Sequence, residues 1–443
     1  MTGIKKNIHN IELLAPAGSL EKLKYAIEYG ADAVYAGVPS ISMRARVNNF
    51  SEKDLAEAAE YAHKKGKKIF VTINIYAHNF HLPAIEKHLK FLSKIKIDGV
   101  IISDPGIITL VKKYLPKVDI HLSTQANTTN WQAAEFWHKA GIKRIILARE
   151  VTLKDIQEIH RKVPQLELEY FVHGAMCMSY SGRCILSKWM SNQSANEGGC
   201  TQPCRWAYRP NDQFPISNFQ SNLNDSISKQ NARKYKRMRV MEVQSKEEIE
   251  LEEDFHGTYF FNSQDLNLIK HLDKLEKAGI TAFKIEGRTK SAYYVANTTR
   301  AYRKVLDAIE DRKSSAEIKK VQKWAENELN KLSNRGYTEG FLLGNEPGHN
   351  FSGNVSNDEF QFVGEVLRNN QGELTVKVHN ALQKVDKIEI VTPNENMPAK
   401  ILSLCDENKK EVVSAHGGHS SLYYVKMNKK NIEPLSLIRK ITV

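Results

Sequence analysis

Long hydrophobic runs are missing from this 443-residue chain: it holds no stretch of 18 consecutive apolar residues, so no transmembrane helix is expected. Residues Met1 to Asn10 are basic and polar and lack the apolar core of a signal peptide, so the expected location is the cytoplasm, with no membrane partner. Nucleotide fingerprints are missing too. Neither G-x-G-x-x-G nor a P-loop pattern occurs, which argues against a dinucleotide or nucleoside triphosphate site. H-E-x-x-H and G-x-S-x-G are likewise absent, and with them the usual signatures of zinc proteases and serine hydrolases. Acidic residues are in deficit: 64 Lys+Arg less 51 Asp+Glu leaves +13. Positive potential attracts phosphates and releases their counterions, so a polyanionic partner such as nucleic acid is favoured. Cysteine is scarce, with five residues in all, yet Cys177, Cys184, Cys200 and Cys204 fall within 28 residues of one another.

What is present is a repeating pattern. Short runs rich in Ile, Val, Leu and Phe occur at Ile11–Pro16, Ala33–Gly37, Lys68–Asn74, Gly99–Ser103, Asp119–Thr124, Arg144–Ala148, Leu166–Val172 and Ala282–Glu286. They read as parallel strands buried on both faces. Amphipathic helix patterns lie between most of them, among them Leu20–Tyr29, Asp54–Lys65, Trp131–Ala140 and Leu153–Val163. Eight strands alternating with helices is the count of a TIM-type (β/α) barrel. The alternative, an open doubly wound sheet, usually carries a glycine-rich turn after its first strand, and here that turn reads Ala15-Pro16-Ala17-Gly18-Ser19.

The alternation breaks between strands seven and eight, where a large insertion from Gly174 to Gly279 stands in place of one helix. It contains the four cysteines, then a polar tract, Asn211–Asn231, expected to be mobile. A basic cluster (Arg233, Lys234, Lys236, Arg237, Arg239) and an acidic block (Glu247 to Asp254) follow. Two helices are expected between Arg288 and Leu332. From Phe360 the period changes to short strands, Phe362–Val366, Leu374–Val378, Ile388–Val391, Leu422–Val425 and Leu437–Ile441. The domain reading is therefore a barrel over residues 1–345 and a small all-β, barrel-like domain over 355–443.

The chemistry concentrates at the expected C-terminal ends of the barrel strands, where barrels place their active sites. The constellation Cys177-x6-Cys184-x15-Cys200-x3-Cys204 offers soft thiolate ligands for a metal: zinc or an iron–sulfur cluster. Cys405 stands alone and reads as a core thiol. His173, four residues before Cys177, is either a base beside a nucleophilic cysteine or a histidine held by a structural hydrogen bond. His121, Ser123, Thr124, Gln125 and Asn127 crowd the exit of strand five and read as pocket lining. Lys284 and Glu286 share one face of strand eight, with Arg288 at its mouth and Arg149–Glu150 after strand six. Arg149 and Arg288 together suit a dicarboxylate or a phosphate, although Arg149–Glu150 and Glu286–Arg288 also read as self-neutralising pairs. The candidate catalytic groups are thus His121, Gln125, His173 and Glu286. The candidate substrate-binding groups are Asn127, Arg149, Lys284 and Arg288.

The segment EYFVHGAMCMSYSGRC (Glu169–Cys184) resembles the signature of peptidase family U32, the collagenase-like family. The likeness continues in LLAPAGS (Leu13–Ser19), HLSTQAN (His121–Asn127), GGCTQPCRW (Gly198–Trp206), NSQDL (Asn262–Leu266), KIEGRTKS (Lys284–Ser291) and SNRGYTEGF (Ser333–Phe341). It extends over essentially the whole chain and is strongest to the tRNA-hydroxylating branch of that family. The resemblance implies a TIM-like barrel with a C-terminal β domain. It also implies conversion of the tRNA wobble uridine to 5-hydroxyuridine, with prephenate as the oxygen source, at a 4Fe-4S cluster. By motif, Cys177, Cys184 and Cys200 are the implied ligands and Cys204 is the fourth. Some relatives instead carry a cysteine where this chain has Asn267. Two other readings remain: a peptidase, as the family name implies, and a non-catalytic RNA-binding module around a structural metal.

Overall fold

The computed structural model describes residues 11–37, 41–42, 50–177, 179–197, 199–205, 236–241, 248–254, 257–259, 263–345, 359–418, 422–429 and 431–442, and only the backbone of those between 236 and 259. Six strand–helix units and a seventh strand come first among the described residues: β1 (Glu12–Pro16), α1 (Leu20–Glu28), β2 (Ala33–Gly37), α2 (Glu52–Lys64), β3 (Lys68–Ile73), α3 (Leu82–Leu92), β4 (Gly99–Ile102), α4 (Pro105–Tyr114), β5 (Asp119–Leu122), α5 (Trp131–Lys139), β6 (Arg144–Ile146), α6 (Leu153–Lys162) and β7 (Glu167–Ala175). The helix starts follow local chemistry. Ser51 with Asp54 and Thr152 with Asp155 form capping boxes, and Asp104 caps α4 ahead of Pro105.

The insertion follows as α7 (Leu186–Ser191), β8 (Lys236–Met241), β9 (Glu248–Asp254), β10 (Gly257–Tyr259), β11 (Asp265–Asn267) and α8 (Leu272–Lys277), and β12 (Ile280–Ile285) is the eighth barrel strand. All neighbours from β1 to β7 pair in parallel, β1 pairs with β12, and β12 pairs with β7, closing the barrel. The eight expected strands are all present. The insertion does not displace the last helix, because α8 survives ahead of β12. Its end also joins the sheet, with β11 running antiparallel to the extended tip of β7. The polar tract Asn211–Asn231, with Arg233, Lys234 and Glu247, lies outside the described residues. The rest of the basic and acidic blocks become a hairpin whose register sets Lys236, Arg237 and Arg239 opposite Glu253, Glu252 and Glu250. Three basic residues against five acidic ones give these two strands a net charge of 3 − 5 = −2.

Helices α9 (Ala292–Glu310) and α10 (Ser315–Asn330) and the short β13 (Tyr337–Thr338) complete the barrel unit. The C-terminal unit comprises β14 (Phe360–Asn370), β15 (Glu373–Val378), β16 (Leu382–Gln383), β17 (Lys387–Val391), β18 (Asn396–Ala399), β19 (Ile401–Cys405), β20 (Ser414–Ala415), β21 (Leu422–Met427) and β22 (Leu437–Ile441). Seven of these strands form an antiparallel sheet in the order β18-β17-β22-β14-β15-β21-β19, an open half-barrel with its own core around Val363, Val376 and Ile390. Among the described residues no helix is long and apolar enough to cross a membrane.

The two units are joined by buried charge. Arg439 grips both oxygens of Glu328 at 3.0 and 3.2 Å, and Arg300 reaches Glu328 at 2.8 Å and the Thr392 carbonyl at 2.7 Å. Burial alone would raise the Glu328 carboxyl, but Arg439, Lys331 and Arg300 outweigh it and bring its pKa down to about 2.

Candidate active site

Strand alternation divides the barrel interior into two layers. The lower layer is ionic. Arg144 on β6 is bound by Glu12 at 2.5 Å, Glu167 at 2.8 Å and Glu169 at 3.3 Å. Lys68 meets Glu12 at 2.8 Å, and Lys284 meets Glu169 at 2.5 Å. Three carboxylates face three cations, so each buried charge has its counter-charge. Burial alone would raise the Glu12 carboxyl, but Arg144 and Lys68 hold its pKa below the ordinary value. Lys284, fully buried, is pushed down by burial and pulled back by Glu169.

Above this layer lies a cavity of about 150 Å³ at the C-terminal mouth of the barrel. Its lining unites Cys177, Cys184, Cys200 and Cys204 with Gln125, Arg149, Lys284, Glu286 and Arg288. Arg149 stacks its guanidinium on the Phe171 ring at 4.0 Å. Its Nε is buried with no hydrogen-bond partner among the described residues, as is Gln125 Oε1. Arg288 donates to Thr72 Oγ1 at 3.0 Å, and the Tyr35 hydroxyl donates to Glu286 Oε2 at 3.2 Å. Glu150 does not line the cavity; it accepts the Ser181 N–H at 2.7 Å and so tethers the cysteine loop. Lys284 is neutralised by Glu169 beneath it, so Arg149 and Arg288 against Glu286 leave the lining 2 − 1 = +1, a field that suits an anionic ligand.

The cysteine loop is built from short-range contacts. Thr201 lies 3.0 Å from Ser187 Oγ and 2.8 Å from Ser191 Oγ, which ties α7 to the second cysteine pair. Tyr76 Oη lies 2.9 Å from the Gln125 carbonyl and 2.6 Å from that of Gly182, pinning the loop to the exit of β5. Gly182 has φ +77°, and a Cβ there would stand 2.1 Å from the Gln125 carbonyl oxygen, so no larger residue fits. No disulfide joins the five cysteines. Among the described residues no three Cys, His, Asp or Glu side chains converge as metal ligands. The four thiols share one cavity wall without forming a closed cage.

Three candidates stand away from this cavity. His121 lies below its floor, edge-on to Phe70 at 4.6 Å, and burial with the nearby Arg144 and Lys284 charges pushes its pKa well down. His173 faces the helix layer, 3.3 Å from the Tyr302 hydroxyl, and burial pushes its pKa down to about 3. The cause of its orientation is a bulge: Lys284 pairs with Phe171 but Ile285 pairs with His173, so Val172 is extra and the face flips. Asn127, in the left-handed conformation at φ 50°, lines a neighbouring cleft. Sequence reasoning missed Tyr35, Thr72, Asn74 and Phe171, which also line the cavity. Thr72 and Asn74 carried a signal: two polar residues at i, i+2 closing an otherwise apolar strand.

The family model described as "Peptidase family U32" matches residues 18–351, and "Peptidase family U32 C-terminal domain" matches residues 358–439. The chain is 40% identical over 431 residues to the tRNA hydroxylation protein P of Haemophilus influenzae, spanning 92% of each chain. It is 37% identical over 435 residues to the tRNA hydroxylation protein P1 of Bacillus subtilis, spanning 97% of this chain and 94% of that one. A protein named "Collagenase" from Porphyromonas gingivalis is 31% identical over 353 residues, spanning 77% and 76% of the two chains.

Proposed function

Since the chain belongs to peptidase family U32, we propose that it is an RNA-modifying enzyme that hydroxylates a tRNA uridine at the barrel mouth. The observation that carries this reading is the meeting of four thiols and three cations in one cavity. Replacing C5–H of uridine with C5–OH adds one oxygen atom, a net two-electron oxidation of the base. The reaction therefore needs an oxygen-donating co-substrate and redox chemistry that ordinary side chains do not supply. The donor set fits a thiolate-ligated centre. Cys177, Cys184, Cys200 and Cys204 are the residues that would hold a 4Fe-4S cluster, with zinc as the structural alternative. Such a cluster, when bound, supplies one-electron chemistry or an open iron site.

The rest belongs to this chain's own residues. Arg149, with its unpartnered Nε, and Arg288 would clamp the carboxylates of a dicarboxylate such as prephenate. Lys284 is committed to Glu169 and holds the floor of the cavity. Gln125 Oε1 is free to accept an N–H of the base, and Glu286 beside Tyr35 is placed to hold a proton. Wobble uridine as target, 5-hydroxyuridine as product and the cytoplasm as location complete the reading.

A second reading, peptidase, is favoured by the name of the Porphyromonas gingivalis relative. Against it, the described lining contains four cysteines and no histidine, and His173 faces the opposite side of its strand. A cysteine nucleophile would lack its customary base. The test is to incubate anaerobically purified protein with unmodified tRNA and prephenate and analyse the nucleosides, and in parallel to incubate it with gelatin and look for cleavage. 5-Hydroxyuridine is the expected product. Unmodified tRNA together with cleaved peptide would overturn the reading in favour of the peptidase.

A further inference from the structure

A second cleft, of about 440 Å³, opens on the same face of the barrel. It shares Gln125, Gly182 and Asn196 with the reaction cavity, so one thin wall separates the two. That wall is held by the Tyr76 hydroxyl between two carbonyls. The far side of the cleft is formed by Trp137, Asn127, Arg183 and Ile185. Trp137 is half-buried and packs against the barrel core, with Phe136 edge-on to it at 5.1 Å. Ile185 is 77% exposed among the described residues. Arg183 is exposed and makes no ion pair among the described residues. Asn127 Oδ1 is buried and has no hydrogen-bond partner among the described residues.

An aromatic plane, an apolar lid, one guanidinium and one orphaned acceptor are the elements that bind an unstacked nucleotide. Arg183, the one cation among the described lining residues, matches one phosphodiester charge, whereas the reaction cavity with Arg149 and Arg288 matches a dicarboxylate. We propose that this cleft binds the nucleotide flanking the one that is modified. The base packs between Trp137 and Ile185, a ring N–H or amino group donates to Asn127 Oδ1, and Arg183 pairs with the connecting phosphate. A target base turned into the reaction cavity leaves its neighbour unstacked, and the adjoining cleft is where that neighbour lies. This inference rests on the RNA-modifying reading and adds how the strand is held.

The experiment pairs protein and RNA changes. The full chain, W137A and R183A are each given an anticodon stem–loop, intact or with an abasic residue on either side of the target uridine. Loss of one flanking base is expected to weaken wild-type binding roughly tenfold or more. W137A is expected to lose as much on intact RNA and nothing further on the abasic RNA, because the two changes remove the same contact. R183A, at an exposed position that does not threaten folding, is expected to weaken all three RNAs and lower the salt slope by about 1. Prephenate binding is expected to stay unchanged in both variants. Wild-type affinity in both variants, or an abasic penalty that persists in W137A, overturns the subsite while leaving RNA modification standing. Weakened prephenate binding with unchanged RNA binding overturns it in favour of a second lobe for the co-substrate. Failure of the wild-type chain to bind or modify any RNA overturns the parent reading itself.

Discussion

The two layers of the barrel interior are a few residues apart on the same strands, yet they solve opposite problems. In the lower layer Arg144, Glu12, Glu169 and Lys284 exhaust one another's charge. In the upper layer Arg149 Nε and Gln125 Oε1 are buried without partners among the described residues. Unsatisfied buried polar atoms cost stability, so the upper layer gives up stability where a ligand is expected to supply the missing contacts. Position along a strand thus separates residues that hold the barrel from residues that line the cavity.

The sharpest way to break that comparison is at Arg144. Arg144→Leu leaves the three carboxylates Glu12, Glu167 and Glu169 facing the exposed Lys68 and Lys143 and the buried Lys284. The buried Glu12 and Glu169 then put one buried negative charge in excess, and a loss of about 3–5 kcal/mol is expected in urea unfolding. Arg149→Gln, in the layer above, is expected to cost less than about 1 kcal/mol of stability. It should weaken prephenate binding by about 1.5–3 kcal/mol, roughly ten- to a hundredfold in Kd by calorimetry. Equal stability losses in the two variants would erase the distinction between the layers.

A smaller effect is expected from pH. The folded Glu12 carboxyl titrates below its ordinary value of 4.5, so the unfolded chain takes up that proton first. Its contribution to stability is complete above about pH 4.5 and is lost as pH falls toward the folded pKa. Urea midpoints measured downward from pH 6 should decline in that window, and less steeply in Glu12→Gln. The smallest effect is expected at Cys405→Ala, far from the mouth on β19. It should leave metal content unchanged, and any loss of metal there would break the assignment of the other four cysteines.

Much of the fold was legible because parallel barrel strands are buried on both faces and so read as apolar runs. The charged hairpin was not: Lys236–Met241 and Glu248–Asp254 read as opposite charge blocks until the register set them side by side. β16, β18, β19 and β20 are two to five residues long, too short to show a period. At the site, clustering exposed the four cysteines, and alternation on β12 placed Lys284 and Glu286. His121 and His173 lie outside the cavity for two different reasons, and the contact of His173 with the Tyr302 hydroxyl is the structural alternative its position offered. His121 has the right face but sits one layer too low, beneath Ser123. His173 has the right height but the wrong face, because no sequence signal announces the bulge at Val172.

The central claim is that the four-cysteine wall of the mouth is a thiolate metal centre serving tRNA hydroxylation. It is tested most directly by anaerobic purification, with iron, sulfide and zinc analysis of the wild-type chain and of Cys177→Ala. Roughly four irons and four sulfides per chain are expected, lost in the variant together with tRNA hydroxylation while its unfolding midpoint stays close to wild type. Stoichiometric zinc, no metal at all, or full hydroxylation by Cys177→Ala would contradict it.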